Sequence, residues 1–160
     1  MAVDVFLKLA DVKGESKDDK HKDEIEVLSW SWGISNPVDA RAGAGKGAGK
    51  ANFHDLNFMH SVDKASPVLM KACTMGDHFK EATLTSRKAG KGQQEYLTFK
   101  FRDVLVSSFQ STGTEELAVP TDSVSFNFAK IEVVYTPQNA DGSLGAAVEF
   151  RYDLKANKTF

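Results

Sequence analysis

Cysteine is almost missing from this chain of 160 residues: Cys73 stands alone, which excludes an internal disulfide and a multi-cysteine zinc or iron–sulfur cage. An excess of either charge is missing too. Lys and Arg total 20 against 22 Asp and Glu, a formal net charge of -2, so there is no electrostatic footprint for a nucleic-acid backbone or an anionic membrane. No apolar run approaches the roughly 18 residues that a helix needs to cross a bilayer, and membrane insertion is not expected. The amino terminus, Met1 to Leu9, alternates in polarity without a basic leader or an apolar segment, and does not read as a secretory signal. What the chain does have is apolar mass. Hydrophobic residues make up 41%, with 11 Phe, 3 Tyr and 2 Trp, enough for a real core and too much for a disordered chain. The length suits one domain, residues 1–160.

Strand patterns dominate. Val3, Val5, Leu7 and Leu9 alternate with Asp4, Phe6, Lys8 and Ala10, a period of two. The mixed-sign run Lys17 to Glu24 that follows reads as a solvated loop. In residues 25–35, Ile25 and Val27 share one parity and Leu28, Trp30, Trp32 and Ile34 the other, which predicts a face change through a bulge near Leu28. Residues 53–63 place Leu56, Phe58, His60 and Val62 on one face of a strand. A helix is predicted from Ser66 as N-cap, with Pro67 in the first helical position and Gly76 as the stop; Leu69, Ala72 and Cys73 share its inner face. Residues 79–88 and 95–109 flank a glycine-containing connection and form a hairpin. The parity switches again between Phe128 and Ile131, predicting long bent strands, and Asp141-Gly142 marks a turn before the alternating segment 146–154. The prolines, and the glycines apart from Gly33, punctuate these segments. Many antiparallel strands and one short flanking helix describe a mainly β chain, an antiparallel β-barrel or sandwich.

Chemistry is hard to place on it. The string Gly43 to Ala51 invites a phosphate-loop reading, but with Lys50 as the motif lysine the first glycine would fall on Ala44 and the magnesium-binding hydroxyl on Ala51. A dinucleotide motif at Gly43, Gly45 and Ala48 would need a βαβ unit that the pattern lacks. His54, His60, Asp55 and Cys73 have no recognised metal-ligand spacing and are read as unconnected residues. Gly14 to Asp18 lacks the last glycine of a nucleophile elbow, and Glu115-Glu116 reads as a pair of solvent-facing loop charges. No enzyme activity, cofactor or metal is therefore expected.

The glycine loop is better read as a mobile segment, about residues 38–50. Fixing ten such residues costs on the order of 10–20 kcal/mol of backbone entropy, so the loop is expected to order only against a protein surface that its small residues approach closely.

Five strings, in order, resemble the hemolysin-coregulated protein (Hcp) family of bacterial type VI secretion systems. They are Val12 to Ser16, Val27 to Gly33 (Val-Leu-Ser-Trp-Ser-Trp-Gly), Ser66 to Cys73, Val104 to Ser108, and Tyr135 to Gln138 with Ala140-Asp141-Gly142. The resemblance runs from Met1 to about Leu154; Tyr152 stands where many members have Trp, and the tail 155–160 carries none of these strings. It implies a β-barrel with one flanking helix, a homohexameric ring, and rings stacked into a tube driven by a contractile sheath and tipped by a spike protein. It also implies a carrier role for small effectors in the lumen and no catalysis. The protein would reside in the bacterial cytoplasm before firing and leave without a cleaved signal peptide. The family's extended loop at this place makes Val38, Arg41, Gly43, Gly45, Lys46, Gly47, Gly49 and Lys50 the candidate ring-stacking residues. The competing expectation is a monomeric β-barrel that binds a small apolar ligand.

Overall fold

The computed structural model describes residues 2–37, 50–89 and 92–160. The strands among them are β1 (Val3–Leu9), β2 (Ile25–Glu26), β3 (Ser29–Ser31), β4 (Ile34–Ser35), β5 (Asn52–Phe53), β6 (Leu56–Ser61), β7 (His78–Lys88), β8 (Glu95–Thr112), β9 (Thr121–Asn127), β10 (Lys130–Tyr135), β11 (Val148–Asp153) and β12 (Lys158–Thr159), with one helix, α1 (Ser66–Met75). Every ladder is antiparallel.

The 18-residue β8 is the hub. One edge pairs with β7; the other pairs with β10 through residues 97–102 and with β9 through residues 105–112. The predicted face change between Phe128 and Ile131 is present and has a counterpart in β8. Inward residues there shift from Phe99 and Phe101 to Val104 and Val106, around Asp103, whose φ of 55° is left-handed. An aspartate tolerates that region better than most residues. Ile131 faces Phe101 and Phe126 faces Val106 across the ladders, all buried, so both bent strands keep feeding one core.

The strand predicted over residues 25–35 is broken instead of bulged. Val27 donates to Val5 of β1, whereas Leu28 donates to Met59 of β6, so the chain changes partner at Leu28. Strands β1 and β6 do not pair with one another; residues 25–31 span the gap, and β1, β7, β8, β9 and β6 complete the wall of an open barrel. Its interior is filled by Leu7, Leu9, Ile25, Leu56, Phe58, Leu84, Phe101, Phe126 and Ile131.

Helix α1 closes one end with Ala65, Leu69 and Ala72 buried. Gly76 terminates it in the left-handed region, φ 68°, as the sequence suggested. Ser66 is not the N-cap: Ala65 occupies that position, and the Ser66 hydroxyl instead donates to Asp122 (2.5 Å) while accepting from the Asp63 amide (3.1 Å). Cys73 is only partly buried.

The run Lys17–Glu24, expected as a solvated loop, keeps Lys17, Asp19, Lys20 and Lys22 exposed, but His21 is buried and residues 12–24 are folded back on themselves. Gly14 and Ser16 donate to Asp23 and Glu24 while Asp23 donates back to Ser16, so the segment folds on itself as a strap. A Cβ on Gly14 would lie 2.5 Å from the Glu24 carbonyl oxygen, which requires glycine at that crossing. The strap covers the outward face of β1 and β7, where Phe6, Thr85 and Arg87 are buried although their parity points away from the barrel.

Because Phe101 is fully buried in the hub strand, Phe101→Ala is expected to cost about 3–5 kcal/mol, read as a lowered urea midpoint.

Candidate functional site

The sheet of β7, β8, β10 and β11 has two unlike faces. On one, rows of charge cross the strands: Glu81, Arg102, Lys130 and Asp153 form one row, and Lys100, Glu132 and Arg151 belong to the next. Arg102 reaches Glu132 at 3.2 Å and Lys130 reaches Asp153 at 3.7 Å. That is a solvated face, with each exposed pair worth little.

The opposite face is apolar, and it outruns the core. Leu84, Phe99, Val133 and Phe150 form a cross-strand row whose burial fades from complete at Leu84 to 37% exposed at Phe150. The next row ends at Tyr135, 47% exposed, and Val148, 66% exposed. Alternation in 146–154 was legible; that its apolar side remains open was not. The β11 edge is open as well. Among the described residues β12 pairs only with Tyr152 and Asp153, leaving Val148 to Arg151 with no strand on that side. An unpaired edge beside an exposed apolar strip is a template for another chain.

Of the predicted stacking residues, Val38, Arg41, Gly43, Gly45, Lys46, Gly47 and Gly49 lie outside the described residues. Lys50 is exposed just ahead of β5. The two ends of that segment are brought together by the β4–β5 ladder, Ile34 opposite Phe53 and Ser35 opposite Asn52. This small sheet is seated on the apolar face: the Phe53 ring stacks on Tyr152 at 4.7 Å and lies 6.3 Å from Trp32, which packs edge-on to Phe99. The root of the segment and the open strip of β11 therefore share one surface.

Two polar clusters escaped the sequence reading. Asp122, fully buried on β9, accepts from Ser66 of α1 and from Ser111 of β8 (2.6 Å), and His60 Nε2 of β6 lies 3.2 Å away, off the hydrogen-bond direction. Burial holds the nearby Asp63 carboxyl above the usual range, with His60 opposing. His60, expected to stand unconnected, lies in the cluster that joins the helix to the barrel. His54 sits apart at the surface, against Ser35, and Asp55 accepts from Ser107 and Asn127, so these candidate ligands are not brought together. In the second cluster Arg87, inside the strap, pairs with Asp18 through both terminal nitrogens and reaches Asp4 at 3.4 Å. The hydrogen bonds from Arg87 hold the Asp18 carboxyl down at about 2. Glu115 and Glu116 are exposed. None of these groups forms an accessible nucleophile with a base.

The barrel with one helix, the open sheet and the seated hairpin define a family. The family model described as "Type VI secretion system effector, Hcp" matches residues 6–135, and the chain belongs to the Hcp family. It is 47% identical over 159 residues, 98% of each chain, to the protein hcp1 of Pseudomonas aeruginosa PAO1. Among solved structures, one described as a type six secretion system protein superposes with a TM-score of 0.94 at 33% identity, covering 99% of this chain and all of the other. Hcp1 from Salmonella typhimurium gives 0.84 at 38% identity, with both chains covered in full.

Asp18 has a lowered carboxyl pKa, so its contribution to stability is present above the unfolded carboxylate range and is lost as pH falls through about 2. Acid unfolding should therefore show a component between about pH 4 and about pH 2 that Asp18→Asn removes, followed by circular dichroism.

Proposed function

We propose that this chain is the tube subunit of a type VI secretion system: a structural protein that closes into a homohexameric ring, stacks ring on ring, and is exported as the tube. Family membership supports the system, and one observation supports the mode of assembly: the apolar face of β10 and β11 continues past the core beside a strand edge that no strand among the described residues pairs over residues 148–151. A neighbouring copy that supplies different residues to this strip forms a head-to-tail contact, and such contacts close into a ring when the rotation suits. A stable contact of this kind buries about 1,000 Å² or more in total. The segment 38–50 is assigned to ring stacking on the resemblance to the family's extended loop at this place; its root, the β4–β5 ladder, is anchored on the sheet through Phe53 and Tyr152.

Under this proposal the partners are other copies, the contractile sheath, the spike protein, and small effectors carried in the lumen. The protein waits in the bacterial cytoplasm and leaves with the tube, without a cleaved signal peptide. No catalysis is assigned to it. The competing ligand-binding monomer has less support, since the barrel interior is occupied by Phe58, Phe101, Phe126 and their leucine neighbours.

Electron microscopy of concentrated protein should show six-fold rings, and Phe150→Asp should raise the concentration needed for ring formation at least about tenfold, by placing a charge in the apolar contact. Rings that persist unchanged in Phe150→Asp would remove the strip from the interface. Deleting residues 38–50 should leave single rings and abolish long tubes; tubes of normal length would end the stacking assignment.

A further inference from the structure

Strap residue His21 is buried, yet each of its ring nitrogens faces a carboxylate. Nδ1 lies 2.9 Å from Glu24 Oε2 in the strap, and Nε2 lies 2.8 Å from Glu95 Oε1 at the start of β8, 74 residues away in sequence. The ring stacks on Phe6 of β1 at 4.4 Å with an interplanar angle of 7°. An ionised carboxylate only accepts hydrogen bonds, so both contacts require an N–H on each nitrogen, which only the doubly protonated ring supplies. Loss of one proton turns one of these contacts into a lone pair facing an anion.

We infer that the strap of residues 12–24 is a pH-responsive cover whose closure over β1 and β7 takes up a proton on His21. The other charged groups around the ring do not replace that proton. Arg87 of β7 is committed to Asp18 and Asp4. Lys20 of the strap, Lys8 of β1 and Glu81 of β7 line, with His21 and Glu24, an open cleft of about 270 Å³ between the strap and the two strands. Glu24 is largely enclosed, 14% exposed, and so cannot turn away freely, whereas Glu95 is 45% exposed and is the contact that releases. Closed, the strap keeps Phe6 and Arg87 from solvent; open, it bares that face of β1 and β7. Because both contacts need an N–H on the ring, the strap closes on the acid side.

Hydrogen exchange tests this on the intact chain. The strap amides of Gly14, Ser16, His21, Asp23 and Glu24 all donate within the strap. Their protection, corrected for intrinsic exchange, should fall about tenfold between about pH 6 and about pH 8.5, while amides of β8 stay unchanged. His21→Gln, which cannot titrate, should abolish the pH step. Glu95→Gln, at a half-exposed position that leaves the core untouched, should flatten it, because an amide can donate to the neutral ring. A wild-type strap equally protected at both pH values overturns the inference, as does a Glu95→Gln protein with the full pH step.

Discussion

Everything in this molecule hangs on one long strand that changes its inward parity without losing its partners. Strand β8 turns at Asp103, where a left-handed backbone rotates the next side chains by one step, and the adjoining β9–β10 edge turns at the same level through Phe128 and Ala129. A flat strand of 18 residues would show the same apolar face along its length; the paired turns let its two halves face one core from different directions. His78 and Lys155 hold the Asp103 carboxylate, first through the histidine hydrogen bond, and keep its pKa low. Because the turn is shared by neighbouring strands, the barrel half and the protruding half of the sheet belong to one hydrogen-bonded unit.

That unit has consequences at both ends. Towards the barrel, β9 presents Asp122 as the pin on which α1, β6 and β8 converge. A buried carboxylate with several donors is tolerated because the donors come from different elements, and removing one partner leaves an uncompensated group. Towards the outside, β10 and β11 carry the apolar rows beyond the barrel, where nothing among the described residues covers Val148. A second copy at that edge, as proposed for the tube, would bury the strip, so the proposed assembly rests on an incomplete sheet and not on a reactive group.

The strap adds a second layer that alternation cannot reveal. Phe6 and Arg87 point away from the barrel, yet both are buried, because residues 12–24 fold over them. Their anchors are ionic and aromatic: Asp18 on Arg87, and His21 stacked on Phe6 between two glutamates. Part of the charge in this segment, which suggests solvation when counted along the chain, goes into contacts at long sequence separation, Asp18 with Arg87 and His21 with Glu95, while Lys17, Asp19, Lys20 and Lys22 stay exposed.

Much of the fold was legible in the residues themselves. The period-two runs located β1, β6 and β11, the glycine-containing connection marked β7 and β8 as a hairpin, and Pro67 and Gly76 bounded the helix, since these follow from local backbone preference and from which side chains share a face. The parity switches were legible as well, though not their nature: at Leu28 the chain changes partner, while near Phe128 the register is kept. Which apolar face stays open, which polar parity is covered, and why Ser66 serves Asp122 instead of capping its helix depend on elements far apart in sequence. Local pattern determines how a segment can fold; only packing in three dimensions decides what lies on each side of it, because burial is a property of neighbours and not of the segment.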